Sequence, residues 1–79
     1  MPARNLVVRS IETPDGLRCV DIIRHPDGAF GFAEFRRDPE DPSGWHPTGL
    51  ASPEPLASAE AALAAARRQV AWLAEVLGR

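Results

Sequence analysis

Residues 58–77, SAEAALAAARRQVAWLAEVL, form the longest periodic segment in the chain. At about 100° per residue, Ala59, Leu63, Ala66, Val70, Leu73 and Leu77 fall within about 40° of a common line, with Ala62 and Ala74 on its shoulders. This is the pattern of a helix with one face turned to a core. Ser58 suits an N-cap, because its hydroxyl can accept from a first-turn N–H, and Glu60 lies where the positive end of the helix dipole favours a carboxylate. Pro53 and Pro55 forbid regular helix just before it, and Gly78 suits the stop. Alone in water a helix of this length is marginal, so it needs a sheet to lie on.

The preceding chain supplies strands. Residues 6–12, LVVRSIE, are rich in β-branched side chains and end at Thr13-Pro14-Asp15-Gly16, a sequence that suits a type I turn followed by a left-handed residue. Residues 17–24, LRCVDIIR, follow, with Val20 and Ile22 on one face and Cys19, Asp21 and Ile23 on the other. His25-Pro26-Asp27-Gly28 repeats the turn chemistry, the spacing of a meander. Residues 29–37, AFGFAEFRR, give a third strand, with Phe30 and Phe32 on one face and Phe35 on the other unless a bulge near Gly31 shifts the count. Residues 38–44, DPEDPSG, read as a solvated loop, and residues 45–51, WHPTGLA, as a short fourth strand placed at an edge by Pro47.

The fold expected is therefore α+β: a three- to four-stranded antiparallel β-meander packed on one face by a single C-terminal α-helix, in one domain spanning residues 1–79. The other face must be polar or covered, and Arg18, Asp21, Glu34 and Arg36 are its expected polar members.

Composition bounds the function classes. A 79-residue chain buries only a modest fraction of its unfolded surface, so a second copy or a partner is a natural source of stability. A net charge of −2 gives no basic field to gather phosphates, which makes nucleic acid an unfavoured partner. All nine basic residues are arginine, and alanine, proline and glycine abound, a bias that points to a GC-rich bacterial genome. Cys19 is the lone cysteine, so no internal disulfide can form and a reducing cytoplasm is the expected compartment. The first 16 residues lack the apolar run of a signal peptide, and nothing approaches the ~20 apolar residues that span a bilayer.

Trp72 is the most conspicuous candidate for function. On an ideal helix it lies about 140° from the apolar stripe, on a second strip with Ala61, Ala65 and Val76. It can fold onto its own chain, on residues 52–57, on the C-terminal end or by stacking on Arg68 one turn earlier, or it can anchor a contact with another protein. Trp72, Val76, Ala65, Arg68 and Trp45 are the candidate interaction residues. Cys19, His25 and His46 match no metal or Cys-His catalytic spacing, so no catalytic residue, metal ligand or cofactor is expected, and the chain reads as non-enzymatic. Phe30, Phe32 and Trp45 beside Arg36 and Arg37 could offer a stacking platform to a small ligand or single-stranded nucleic acid on the open sheet face. Packing beneath the helix is the alternative for most of those rings.

A Pro-Asp-Gly turn, the aromatic strand AFGFAEFRR, Pro42-Ser43-Gly44 with Gly49, and a helix carrying Glu60, Ala61, Ala65 or Ala66, Trp72, Leu73 and Glu75 together resemble the HicB-like antitoxin domain, a partial ribonuclease H-like unit, over residues 20–77. Short bacterial strand-meander-plus-helix proteins share the pattern. The resemblance implies binding and inhibition of a small toxin, oligomerisation through a sheet edge or the helix, and no enzymatic activity. The leading expectation is protein–protein interaction with self-association.

Overall fold

The computed structural model describes residues 4–78, so the first three of the 16 residues read for a signal peptide lie outside it. Four strands, β1 (Leu6–Glu12), β2 (Arg18–Arg24), β3 (Phe30–Asp38) and β4 (Asp41–Ala51), form one antiparallel sheet in the order β1-β2-β3-β4. Two helices follow, α1 (Ala59–Gln69) and α2 (Leu73–Leu77), and α1 packs across β2 and β3. No helix among the described residues is long and apolar enough to cross a membrane.

Both Pro-Asp-Gly segments are the expected tight turns. The Gly16 amide donates to the Thr13 carbonyl at 2.9 Å with φ 73°, and the Gly28 amide to the His25 carbonyl at 2.9 Å with φ 91°, a backbone region that glycine enters without a Cβ clash. Asp15 and Asp27 cap these turns by accepting from the amides of Leu17 and Ala29. The β3–β4 connection departs from the expected loop over 38–44. Asp38 Oδ1 accepts from the Glu40 amide at 2.9 Å, so the turn is complete by Asp41, and the following residues run on as strand. As an edge strand, β4 can carry prolines that lack a donor. Its register slips between Ala33 and Phe35 and between Arg36 and Asp38, and Gly49, at φ 91°, absorbs part of the first irregularity.

No bulge interrupts β3 at Gly31, which pairs in register with Ile23. Phe30 and Phe32 therefore share the helix side and Phe35 takes the other face. Gly31 is needed for close approach: a Cβ there would stand 2.6 Å from Ser52 Oγ and 3.1 Å from His25 Nε2. Ser52 uses that same oxygen to accept from the Phe32 amide, and Leu56 exchanges two backbone hydrogen bonds with Phe30, which ties the crossing segment to the sheet before the helix begins.

The core lies between sheet and helix, with Val20, Ile22 and Phe32 on the sheet side and Ala62, Ala66, Val70 and Leu73 above them, all at most 2 % exposed. Ser58 caps α1 as expected, accepting from the Ala61 amide at 3.0 Å. Two features of residues 58–77 differ from a single ideal helix. The buried face of α1 is Ala62, Ala65 and Ala66, rolled by roughly 60° from the expected stripe, so that Ala59 and Leu63 flank the core and are only partly buried. Alanines let the helix approach the phenylalanine and isoleucine side chains beneath. The helix also breaks at Val70, whose φ −102° and ψ 104° are extended, a conformation that suits a β-branched residue. The break re-aims the last turn so that Leu73 reaches the core from α2 while Trp72 reaches the sheet.

Candidate interaction surfaces

Trp72 is committed within its own chain: it lies beside Glu75 and Val76 of the C-terminal end, and its ring nitrogen is turned to the sheet. Its indole Nε1 donates to Glu34 Oε2 at 2.7 Å, and Thr48 Oγ1 donates to Glu34 Oε1 at 2.8 Å. Arg18 Nη1 stands 3.7 Å from Oε2 and is half exposed. Glu34 itself is buried, 5 % exposed, on the helix side of β3 two residues from Phe32. This corrects the assignment of Arg18, Glu34 and Arg36 to the bare face: strand alternation places all three on the helix side, and only Asp21 lies opposite. A carboxylate can be buried here because two donors and a guanidinium meet it.

The remaining candidates on the helices separate. Ala65 is a core residue, 6 % exposed, and does not share a surface with Trp72. The roll of α1 takes it inward. Val76 does join Trp72 in a shallow groove with Thr13, Pro14, Asp15 and Glu75. Arg68 is exposed outside that groove, and the cation–π contact of the described residues is made elsewhere, by Arg37.

On the open sheet face Arg37 sits 4.2 Å from the centroid of the Trp45 ring and donates through Nε to the Gly16 carbonyl at 2.8 Å. Trp45 and Phe35 therefore lie on the face away from the helix, whereas Phe30 and Phe32 lie beneath it. The aromatic residues are divided between two faces and form no common platform. Between Trp45, Phe35 and Val7 a small depression also includes Ser10, Cys19 and Asp21. Cys19 is buried there, and burial, with help from Asp21, pushes its thiol up to about 11. A thiol so placed stays protonated at neutral pH and is a poor nucleophile. His25 Nδ1 pairs with Asn5 Oδ1 at 2.9 Å and His46 is exposed. Among the described residues no group of three or more His, Cys, Asp or Glu side chains could hold a metal ion.

The surface that sequence reasoning missed is β1. Leu6, Val7 and Val8 are 44 %, 57 % and 47 % exposed, and they are the exposed large hydrophobic side chains of the described residues. Among the described residues β1 pairs only with β2, and no strand lies beside its other edge. The register slips between Val7 and Arg9, a bulge that turns both Val8 and Arg9 toward the helix side. There they line a groove with Ile22, Ala59, Glu60 and Leu63. The signal was present in the sequence: three consecutive apolar residues on a strand cannot all face one core.

Comparison of the chain with protein-family models, characterised proteins and solved structures gives no match.

Proposed function

We propose that this chain is a non-enzymatic protein-interaction domain whose contact surface is strand β1. The observation that supports this reading is the exposure of Leu6, Val7 and Val8 on a sheet edge. Val7 lies on the open face, Leu6 and Val8 on the helix side, so apolar surface wraps the edge from both sides. A contiguous apolar patch beside a row of free backbone groups is the surface on which another strand adds, with main-chain hydrogen bonds for affinity and side-chain pockets for selectivity. The lone buried Cys19 fits work in a reducing cytoplasm. Arg37 over the Trp45 ring occupies the face on which a base would stack, which weighs against nucleic acid as the partner.

The test is in-cell cross-linking of the tagged chain in its own host. A protein adduct of fixed stoichiometry is expected, and the paired substitution of Val7→Lys with Val8→Lys abolishes it while the far-ultraviolet spectrum is unchanged. A wild-type chain without an adduct, or an adduct indifferent to both lysines, overturns the reading.

A second reading, a HicB-like antitoxin that inhibits a small toxin, rests on the sequence resemblance of residues 20–77. Co-purification of the product of an adjacent reading frame, with inhibition of that product by this chain, tests it.

A further inference from the structure

We infer that the occupant of the β1 edge is β1 of a second copy of this chain, paired antiparallel about a two-fold axis so that two four-stranded sheets become one of eight strands. The inference rests on the reading of β1 as the contact surface and adds the identity of the partner.

The first argument is the inequality of the two sheet edges. β4 contains Pro47, a left-handed Gly49 and two register irregularities, the features that blunt an edge against further strands. β1, LVVRSIE, has no proline, one bulge and an apolar triplet. With β4 blunted, a second copy meets β1 through its own β1, and such an isologous contact closes at two copies because it consumes the same patch on both.

Charge supplies the second argument. Arg9 and Glu60 line the same groove beside Val8, and neither forms an ion pair within the chain among the described residues. Antiparallel pairing brings the partner's β1 alongside this groove. Arg9 of each copy then reaches toward Glu60 of the other, and the two-fold axis makes the contact twice. The groove carries one cation and one anion, so it is complementary to itself and to no uniformly charged partner.

Apolar packing agrees. α1 lies over β2 and β3 and leaves the β1 side of the groove open, with Leu63 and Ala59 only partly buried at its wall. A second β1 places Leu6 and Val8 of both copies between two copies of α1. The chain's small core gains apolar surface where it has least.

The purified chain alone provides the test, by sedimentation equilibrium from 1 to 300 µM. Wild type is expected as a dimer, and Val8→Lys as a monomer with an unchanged far-ultraviolet spectrum. Arg9→Glu and Glu60→Arg each weaken dimerisation about tenfold or more, and the two together restore most of the loss, a pattern that neither misfolding nor a general apolar contact produces. A purified wild type that remains monomeric overturns the inference, as does a double reversal no tighter than either single one. If the purified chain is monomeric while the in-cell adduct still disappears with Val7→Lys and Val8→Lys, the second copy is wrong and the β1 reading stands. If neither responds to the lysines, both are wrong.

Discussion

The indole nitrogen of Trp72 and the carboxylate of Glu34 meet at 2.7 Å across 38 positions of chain, joining the short second helix to the third strand. Glu34 is buried, and Thr48 donates to its other oxygen. The last turn of the molecule is thus fastened to the sheet by a charge-assisted hydrogen bond as well as by Leu73.

Trp72→Phe keeps most of the apolar ring and removes the donor. The variant should lose about 1.5–3 kcal/mol in urea unfolding, the usual cost when a buried charged group loses a partner. In a Glu34→Gln background the same replacement should cost less, because the remaining amide is cheaper to leave unpaired. Equal losses in the two backgrounds would mean that the ring's packing, and not its N–H, holds α2 down.

Gly31→Ala should destabilise by about 1–3 kcal/mol, since its methyl would enter the space of Ser52 Oγ at 2.6 Å and crowd His25 Nε2 at 3.1 Å. Ser52→Ala should cost about 1 kcal/mol through the lost bond to the Phe32 amide. Combined, the two should cost less than their sum, because removing the hydroxyl relieves the clash. Strict additivity in thermal or urea unfolding would show that strand β3 moves aside without meeting residue 52.

Alkaline pH reports on Cys19. Burial raises its thiol from 9.0 to about 11, so the folded state holds the proton more tightly than the unfolded chain. Its contribution is complete below about pH 9 and is lost as pH rises toward 11. The chain has no lysine and no tyrosine, and Cys19 is its lone cysteine, so the thiol is the side chain whose ordinary range borders that window. Unfolding free energy should fall from pH 9 to 11 in wild type and stay nearly level in Cys19→Ala. A matching fall in the variant would assign the pH dependence elsewhere.

Ser58→Ala should cost about 1 kcal/mol, through the lost bond to the Ala61 amide. Ser58→Asp should recover it, with added favour from the helix dipole. Failure of the aspartate to recover would mean that the hydroxyl serves packing against the 52–57 segment.

Much of this architecture can be read from residue chemistry that acts over short range. The two Pro-Asp-Gly turns, the Ser58 cap and the alternation of Val20 and Ile22 against Cys19 and Asp21 are local, and the structure has them where the sequence puts them. The break at Val70 is not local. The flanking alanines and leucines favour continued helix, and only the packing of Leu73 with the pull of Glu34 on Trp72 makes an extended residue the better solution. The place of Glu34 is not local either, since a glutamate between apolar neighbours reads as solvent-facing and this one is buried. Its donors come from Thr48 and Trp72, 14 and 38 residues away. The candidate surface was hidden for a similar reason: LVV looks like core until α1 is seen to sit over β2 and β3 and to leave β1 at the rim.

The alanine face of α1 has a consequence for how this protein can vary. With Ala62 and Ala66 fully enclosed, no side chain on that face spaces the two layers, and the molecule is only 18 Å through its thinnest direction. Bulk can be traded among Val20, Ile22 and Phe32, but an added methylene at residue 62 or 66 would pry the layers apart along the whole rod. Drift in related sequences should therefore concentrate on the strands and spare those two alanines.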